Sequence, residues 1–184
     1  LLAQYGGSVI AKGTKEKPIR FVGDWDLGVG KYNQGQVGLM QSWRSATSKA
    51  QFENCEFDDV CLIGNITSET EKPGYDEQIP TAFAVKNCTI KNARRGLSVS
   101  VVGDYTYIGG KAVIENVKIS AGPEWAYQGV DIHVRGSNIP DEKVVELRNC
   151  TVYGYKSNNY DASPVGLNVY IEEGVSSDVA SLEN

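Results

Sequence analysis

Three side chains that could exchange protons lie close together in the sequence. Asp131, His133 and Arg135 alternate over a short apolar segment, so in an extended strand they would share one face. A carboxylate and an imidazole on one face could perform general acid–base catalysis. The matching positions of neighbouring repeats carry Ser98, Ser100, Asn168 and Tyr170. This poor supply of further ionisable groups favours a solvated strand face over a catalytic site, and both interpretations stay open.

The residue types of the chain give little support to a metal or cofactor site. The chain contains a single His, which excludes sites built from two or three imidazoles, including most catalytic zinc centres. Its four Cys form neither a Cys-x-x-Cys motif nor a cluster with the His. The sequence therefore predicts no metal ion and no cofactor.

Aromatic residues give a stronger signal, because several recur as pairs two positions apart. In extended chain the members of each pair would share a face. Tyrosine and tryptophan rings combine an apolar face with a polar group, which suits contact with sugar rings. The alternative is that these rings fill loops or cap the ends of the domain. The predicted ligand-binding residues are Tyr105, Tyr107, Trp125, Tyr127, Tyr153, Tyr155 and Tyr160.

A repeated template predicts the elements that must position these residues. Four segments align on Asn54, Asn87, Asn116 and Asn149, at spacings of 29 to 33 residues. Apolar residues stand two positions before and three positions after each Asn. In a single strand the inward-facing residues would keep a period of two, so the Asn marks a corner between two short strands. Asparagine tolerates the left-handed backbone that such a corner needs. A second template begins at Gly96, Gly129 and Gly166, with a degenerate copy at Asp59. The residues two before each Asn are Phe52, Val85, Ile114 and Leu147.

Repeats of this length built from short strands predict a solenoid whose coils stack equivalent residues in columns. The Asn-Cys-x-Ile type of motif resembles the repeats of right-handed parallel β-helix proteins of the pectate-lyase-like type. The Gly13-Thr14-x-x-x-Pro18-Ile19 segment is similar to the opening coil of many bacterial surface β-helices. We therefore predict an all-β fold, a right-handed parallel β-helix with inserted aromatic-bearing loops, as a single domain over 1–184. Some proteins of the resembled architecture are polysaccharide lyases. In those enzymes clustered acidic residues hold calcium, and a nearby Arg or Lys abstracts a proton from the substrate.

Charge narrows the range of partners. Eighteen basic and 23 acidic residues give a net charge of −5, without the basic stripe that binds nucleic acid. No apolar run approaches the roughly 18 residues that a membrane-spanning helix needs, so we expect no membrane insertion. An acidic protein would repel pectin or alginate, whereas a neutral glucan carries no charge to repel. The compact, aromatic-rich helix resembles tāpirins, cellulose-adhesion proteins of thermophilic bacteria.

The cysteines are predicted to be apolar fillers. Cys55, Cys88 and Cys150 share one inward position of the template, and Val117 occupies it in the remaining repeat. Valine replaces cysteine only where a small apolar side chain is needed. A disulfide between the adjacent Cys55 and Cys88 stays geometrically possible.

These observations predict a non-catalytic carbohydrate-binding or adhesion domain for an insoluble neutral polysaccharide such as cellulose. The chain starts without Met or a signal peptide, so we interpret it as part of a longer protein, extracellular or at the cell surface. A polysaccharide lyase or glycoside hydrolase of the β-helix type is the alternative. A purely structural stalk is the third hypothesis.

Overall fold

A computed structural model describes residues 1–23, 35–41, 47–71, 79–122, 128–155 and 165–183. The chain winds through three sheets in turn, and within each sheet the strands of successive coils pair in parallel. Among the described residues the only other regular element is a 3-10 turn, Ser177–Val179. The predicted all-β parallel β-helix is therefore confirmed.

The strands are numbered in chain order and grouped here by sheet. Sheet A contains β1 (Leu2–Ala3), β4 (Gly35–Met40), β7 (Val60–Glu69), β10 (Arg95–Val102), β14 (Gln128–Arg135) and β17 (Val165–Ile171), with β11 (Tyr107–Ile108) antiparallel to β7. Sheet B contains β2 (Ser8–Lys12), β5 (Lys49–Glu53), β8 (Thr81–Lys86), β12 (Lys111–Glu115), β15 (Val145–Arg148) and β18 (Ala180–Glu183). Sheet C contains β3 (Ile19–Val22), β6 (Cys55–Asp58), β9 (Thr89–Ala93), β13 (Lys118–Ala121) and β16 (Thr151–Tyr153).

The core consists of apolar columns that run along the axis of the solenoid. Phe52, Val85, Ile114 and Leu147 pair in register across sheet B, and all four are buried. The predicted interior column is therefore confirmed. Each column buries the side chains of one coil against those of the next, which is how short strands share a continuous core.

The predicted asparagine corner is also present. Asn54, Asn87, Asn116 and Asn149 all have left-handed backbone, with φ between 50° and 54°. Each of these residues donates its backbone N–H to the next coil, as Asn87 does to the carbonyl of Glu115 at 3.0 Å. The column also continues through side chains, because Asn116 Nδ2 donates to Asn87 Oδ1 at 3.0 Å. The chain therefore turns from sheet B into sheet C at each of these asparagines.

One alignment of the second template is displaced in the structure. Leu62 pairs with Leu97, which places Cys61 rather than Asp59 at the level of Gly96. Asp59 instead occupies a second left-handed corner, with φ 57°, as does Asn92 in the next coil, with φ 55°. In this coil the level of Gly96 is therefore reached two residues later after Asn54 than the template assumed.

Candidate functional site

The outer face of sheet A carries a hydrogen-bonded cluster centred on β14. Asp131 Oδ1 lies 3.1 Å from His133 Nε2, and it also accepts a hydrogen bond from Asn168 Nδ2 at 2.8 Å. The ring of Tyr170 lies beside the imidazole, with 5.5 Å between the ring centroids and 42° between the planes. We call Asp131, His133, Asn168 and Tyr170 the outer-sheet cluster.

Parallel register explains why these four residues meet. Asp131 pairs with Asn168, and His133 pairs with Tyr170, so side chains that are 37 residues apart in the sequence become neighbours across one strand spacing. Asp131 is only 7% exposed, whereas half of the Tyr170 surface is exposed. The cluster therefore has a buried carboxylate beneath a partly open imidazole and phenol.

Two serines extend the outer-sheet cluster onto the preceding strand of sheet A, β10. Ser98 pairs with Asp131 and Ser100 pairs with His133 on β10. Arg135 is exposed at the end of β14, where it pairs with Val102. The three residues singled out for acid–base chemistry therefore do share a strand, and Asp131 and His133 are the two that are hydrogen-bonded.

Tyr153 and Tyr155 do not share a face, although their spacing predicts that they should. Gly154 between them has φ +83°, which interrupts the extended backbone. Tyr153 is 57% exposed at the end of β16, whereas Tyr155 is packed against the hydrophobic core. This pair therefore contributes one open ring rather than two.

Close packing explains two of the glycines of the second template. A Cβ added at Gly96 would lie 2.4 Å from Ile119 Cγ2, and one added at Gly129 would lie 2.3 Å from Val152 Cγ1. The Tyr155 ring lies just beyond these contacts, at 3.0 Å and 3.1 Å from the two added atoms. The hydroxyl is buried without a hydrogen-bond partner among the described residues, and burial raises the pKa of Tyr155 above its usual range. The ring of Tyr155 therefore packs with the core beside both glycines, which is a structural role.

Tyr105 and Tyr107 follow the C-terminal end of β10, whereas Tyr155 lies beside Gly96, near the N-terminal end of that strand. The backbone N–H of Tyr105 donates to Ser68 Oγ at 2.7 Å, and its side chain is 45% exposed. Tyr107 belongs to β11 and is half-buried. Since β10 is eight residues long, about 26 Å of strand separates this pair from the Tyr155 ring. The predicted aromatic residues therefore do not form one continuous patch among the described residues.

The remaining predicted rings, Trp125, Tyr127 and Tyr160, lie outside the described residues. Their part in ligand binding stays a prediction.

A second surface feature follows the asparagine corner. A shallow groove of about 560 Å³ is lined by residues of four coils, among them Thr14, Asn54, Asn87, Asn116 and Lys118. Two of its amides are already bonded within the protein, because Asn54 Nδ2 donates to the Gly13 carbonyl at 3.2 Å and Asn116 donates to Asn87. The groove therefore offers fewer free polar groups than its composition suggests.

The cysteines are free thiols in the structure, and Cys55, Cys61 and Cys88 are buried. Burial raises the pKa of Cys88 to about 12, as it does that of Cys61. Within the described residues there is no group of three or more His, Cys, Asp or Glu side chains that could hold a metal ion. That part of the chain also contains no helix that is both long and apolar enough to cross a membrane.

Comparison with protein-family models, curated proteins and solved structures returned no match. The fold and its columns therefore define the class of this protein, a parallel β-solenoid.

Proposed function

We propose that the chain is a non-catalytic binding domain for an insoluble neutral polysaccharide, such as cellulose, that acts outside the cell or at its surface. The observation that carries the proposal is the outer-sheet cluster, where the half-exposed ring of Tyr170 stands beside polar side chains on rigid strands. This proposal extends the resemblance to pectate-lyase-like β-helices and to tāpirins from fold to function.

The cluster has the two features that sugar binding requires. A phenol ring offers a flat apolar surface to the axial hydrogens of a sugar, and the imidazole and amide beside it can bond to hydroxyl groups. Asp131 and Asn168 are already bonded to each other, which fixes the polar groups before a ligand arrives. A pre-positioned site loses little side-chain entropy on binding.

The exposed ring of Tyr153 supplies a further contact at the same end of the solenoid. It lies on β16, and Tyr170 lies on β17, so the two belong to the last strands of sheets C and A. Each ring contact is weak on its own, but an extended polymer engages several at once, which raises its overall affinity. Retention on an insoluble glucan should therefore exceed the binding of a short oligosaccharide.

Retention on insoluble cellulose tests this proposal. The variant with Tyr153→Ala and Tyr170→Ala should lose most of its retention, while Tyr5→Ala, at an 81% exposed tyrosine of the opposite end, should bind like the wild type. Tyr155→Phe keeps the packed ring and should also bind normally. Equal retention of the double variant and the wild type would contradict the proposal.

The hydrogen bond between Asp131 and His133 favours one alternative, an acid–base enzyme acting on a polysaccharide. A buried carboxylate that orients a partly exposed imidazole is a common arrangement in catalysis. Release of unsaturated or reducing sugar ends, measured with pectin, alginate and cellulose with and without calcium, tests this alternative. Product formation that His133→Gln abolishes would replace the binding proposal with the enzymatic one.

A further inference from the structure

Two of the four cysteines lie one above the other in adjacent coils, directly after the asparagine corner. Glu56 pairs in register with Thr89, so the residues that precede them, Cys55 and Cys88, occupy the same level of sheet C. Both side chains are buried, and the two thiol groups lie within hydrogen-bonding reach of each other. The fold thus brings together two thiols that are far apart in the sequence.

The spacing of the two coils suits a disulfide. Neighbouring strands of a sheet lie about 4.8 Å apart, and disulfides join residues whose Cα atoms are about 4.4–6.8 Å apart. The Cys88 thiol already leans toward the earlier coil, where its Sγ lies 3.8 Å from the carbonyl oxygen of Phe52. The Cys55 thiol leans the same way, toward the Ala11 carbonyl at 3.5 Å, so bond formation requires it to rotate about its Cα–Cβ bond.

The other two cysteines have no such neighbour. After Cys88 the next member of the column is Val117, and Cys150 follows in the coil beyond it. Cys150 is therefore two strand spacings, about 10 Å, from Cys88, which exceeds the reach of a disulfide. Cys61 lies on a different sheet, where its register partner is Gln36. Among the four cysteines the geometry allows one pairing.

From this geometry we infer that Cys55 and Cys88 form a disulfide when the chain folds in the presence of a small-molecule disulfide such as oxidised glutathione. The thiolate of one cysteine attacks the oxidant and releases one thiol, which leaves a mixed disulfide. The thiolate of the second cysteine then attacks the protein sulfur of that mixed disulfide and releases the second thiol. Both cysteines lose their protons, and the oxidant takes up the two electrons.

Burial determines when this bond can form. The thiolate is the reacting form of a cysteine, and burial raises the pKa of Cys88 to about 12. It also raises the pKa of Cys55 above its usual value. Very little thiolate is therefore present in the folded chain at neutral pH. The bond thus forms while the coils are still open, and the folded chain then shields it from reductants.

Refolding of the reduced chain in a buffer of reduced and oxidised glutathione tests the inference. The refolded protein is denatured in the presence of a thiol-alkylating reagent, and mass spectrometry of its peptides identifies the cysteines that were protected. Cys55 and Cys88 should be joined, whereas Cys61 and Cys150 should be alkylated. Oxidised glutathione added to the folded, reduced chain should form the same bond at least about tenfold more slowly.

Two single variants serve as matched controls. Cys88→Val introduces the side chain that Val117 supplies in the next coil, so the chain should keep its circular dichroism spectrum, yet its three remaining cysteines should all be alkylated. Cys150→Val should retain the bond. Because a cross-link restricts the unfolded chain, oxidation should raise the urea concentration at the unfolding midpoint of the wild type and of Cys150→Val, but not that of Cys88→Val.

Alkylation of all four cysteines in the refolded wild-type chain would overturn the inference. A bond between any other two cysteines, within one chain or between two chains, would also overturn it, because only the pair in adjacent coils has the required geometry.

Discussion

Replacing Asn116 tests whether backbone conformation or the side-chain amide makes the asparagine corner stable. Asn116 has φ 54°, and its amide donates to Asn87 Oδ1 at 3.0 Å. An L-residue other than Asn or Asp pays about 1–2 kcal/mol for left-handed backbone, and an exposed hydrogen bond contributes about 0.5–1 kcal/mol. We therefore expect Asn116→Ala to lower the free energy of unfolding by about 2 kcal/mol.

Asn116→Gly separates the two contributions. Glycine adopts positive φ without strain but loses the amide and gains freedom in the unfolded chain, so we expect a loss of about 1 kcal/mol. Urea denaturation measures both variants, and Lys118→Ala, at an exposed neighbouring position, serves as a control that should stay within about 0.5 kcal/mol of the wild type. Equal losses for Ala and Gly would refute the argument from backbone strain.

Three further predictions concern the core, the second corner and the thiols. Ile114→Ala should lower the free energy of unfolding by about 2–5 kcal/mol, because Ile114 is fully buried; a loss below about 1 kcal/mol would mean that the assigned register is wrong. Burial raises the pKa of Asp59 to about 6, above its unfolded value, so stability should fall as pH rises from about 4 to 6, and Asp59→Asn should remove that fall in urea titrations. Cys150, which is half-buried, should react with a thiol reagent before the buried Cys88, as mass spectrometry of partly modified protein would show; simultaneous modification would contradict this order.

The repeats made most of the fold predictable. Asparagine recurs with apolar residues at fixed offsets, and those offsets reappear in the structure as the corner and the column that contains Ile114. A pattern that repeats in every coil can be found by aligning the chain with itself. The same alignment shows that charged residues of alternating sign, Glu53, Lys86, Glu115 and Arg148, stand directly before the four asparagines.

The site was harder to predict, because it depends on local departures from the repeat. The positive φ of Gly154 turns Tyr155 inward, which an alternation rule cannot foresee. The pairing of Asp131 with Asn168 depends on register between coils. Asp59 was misaligned because the number of residues between the second corner and sheet A varies from coil to coil.

Adsorption of the wild-type chain to a panel of insoluble polysaccharides, with a calcium chelator present throughout, tests the proposed function most directly. The account predicts saturable adsorption to cellulose, weaker binding of soluble short oligosaccharides, and no release of sugar ends. Absence of adsorption to every neutral polysaccharide, or adsorption to pectin alone, would contradict it.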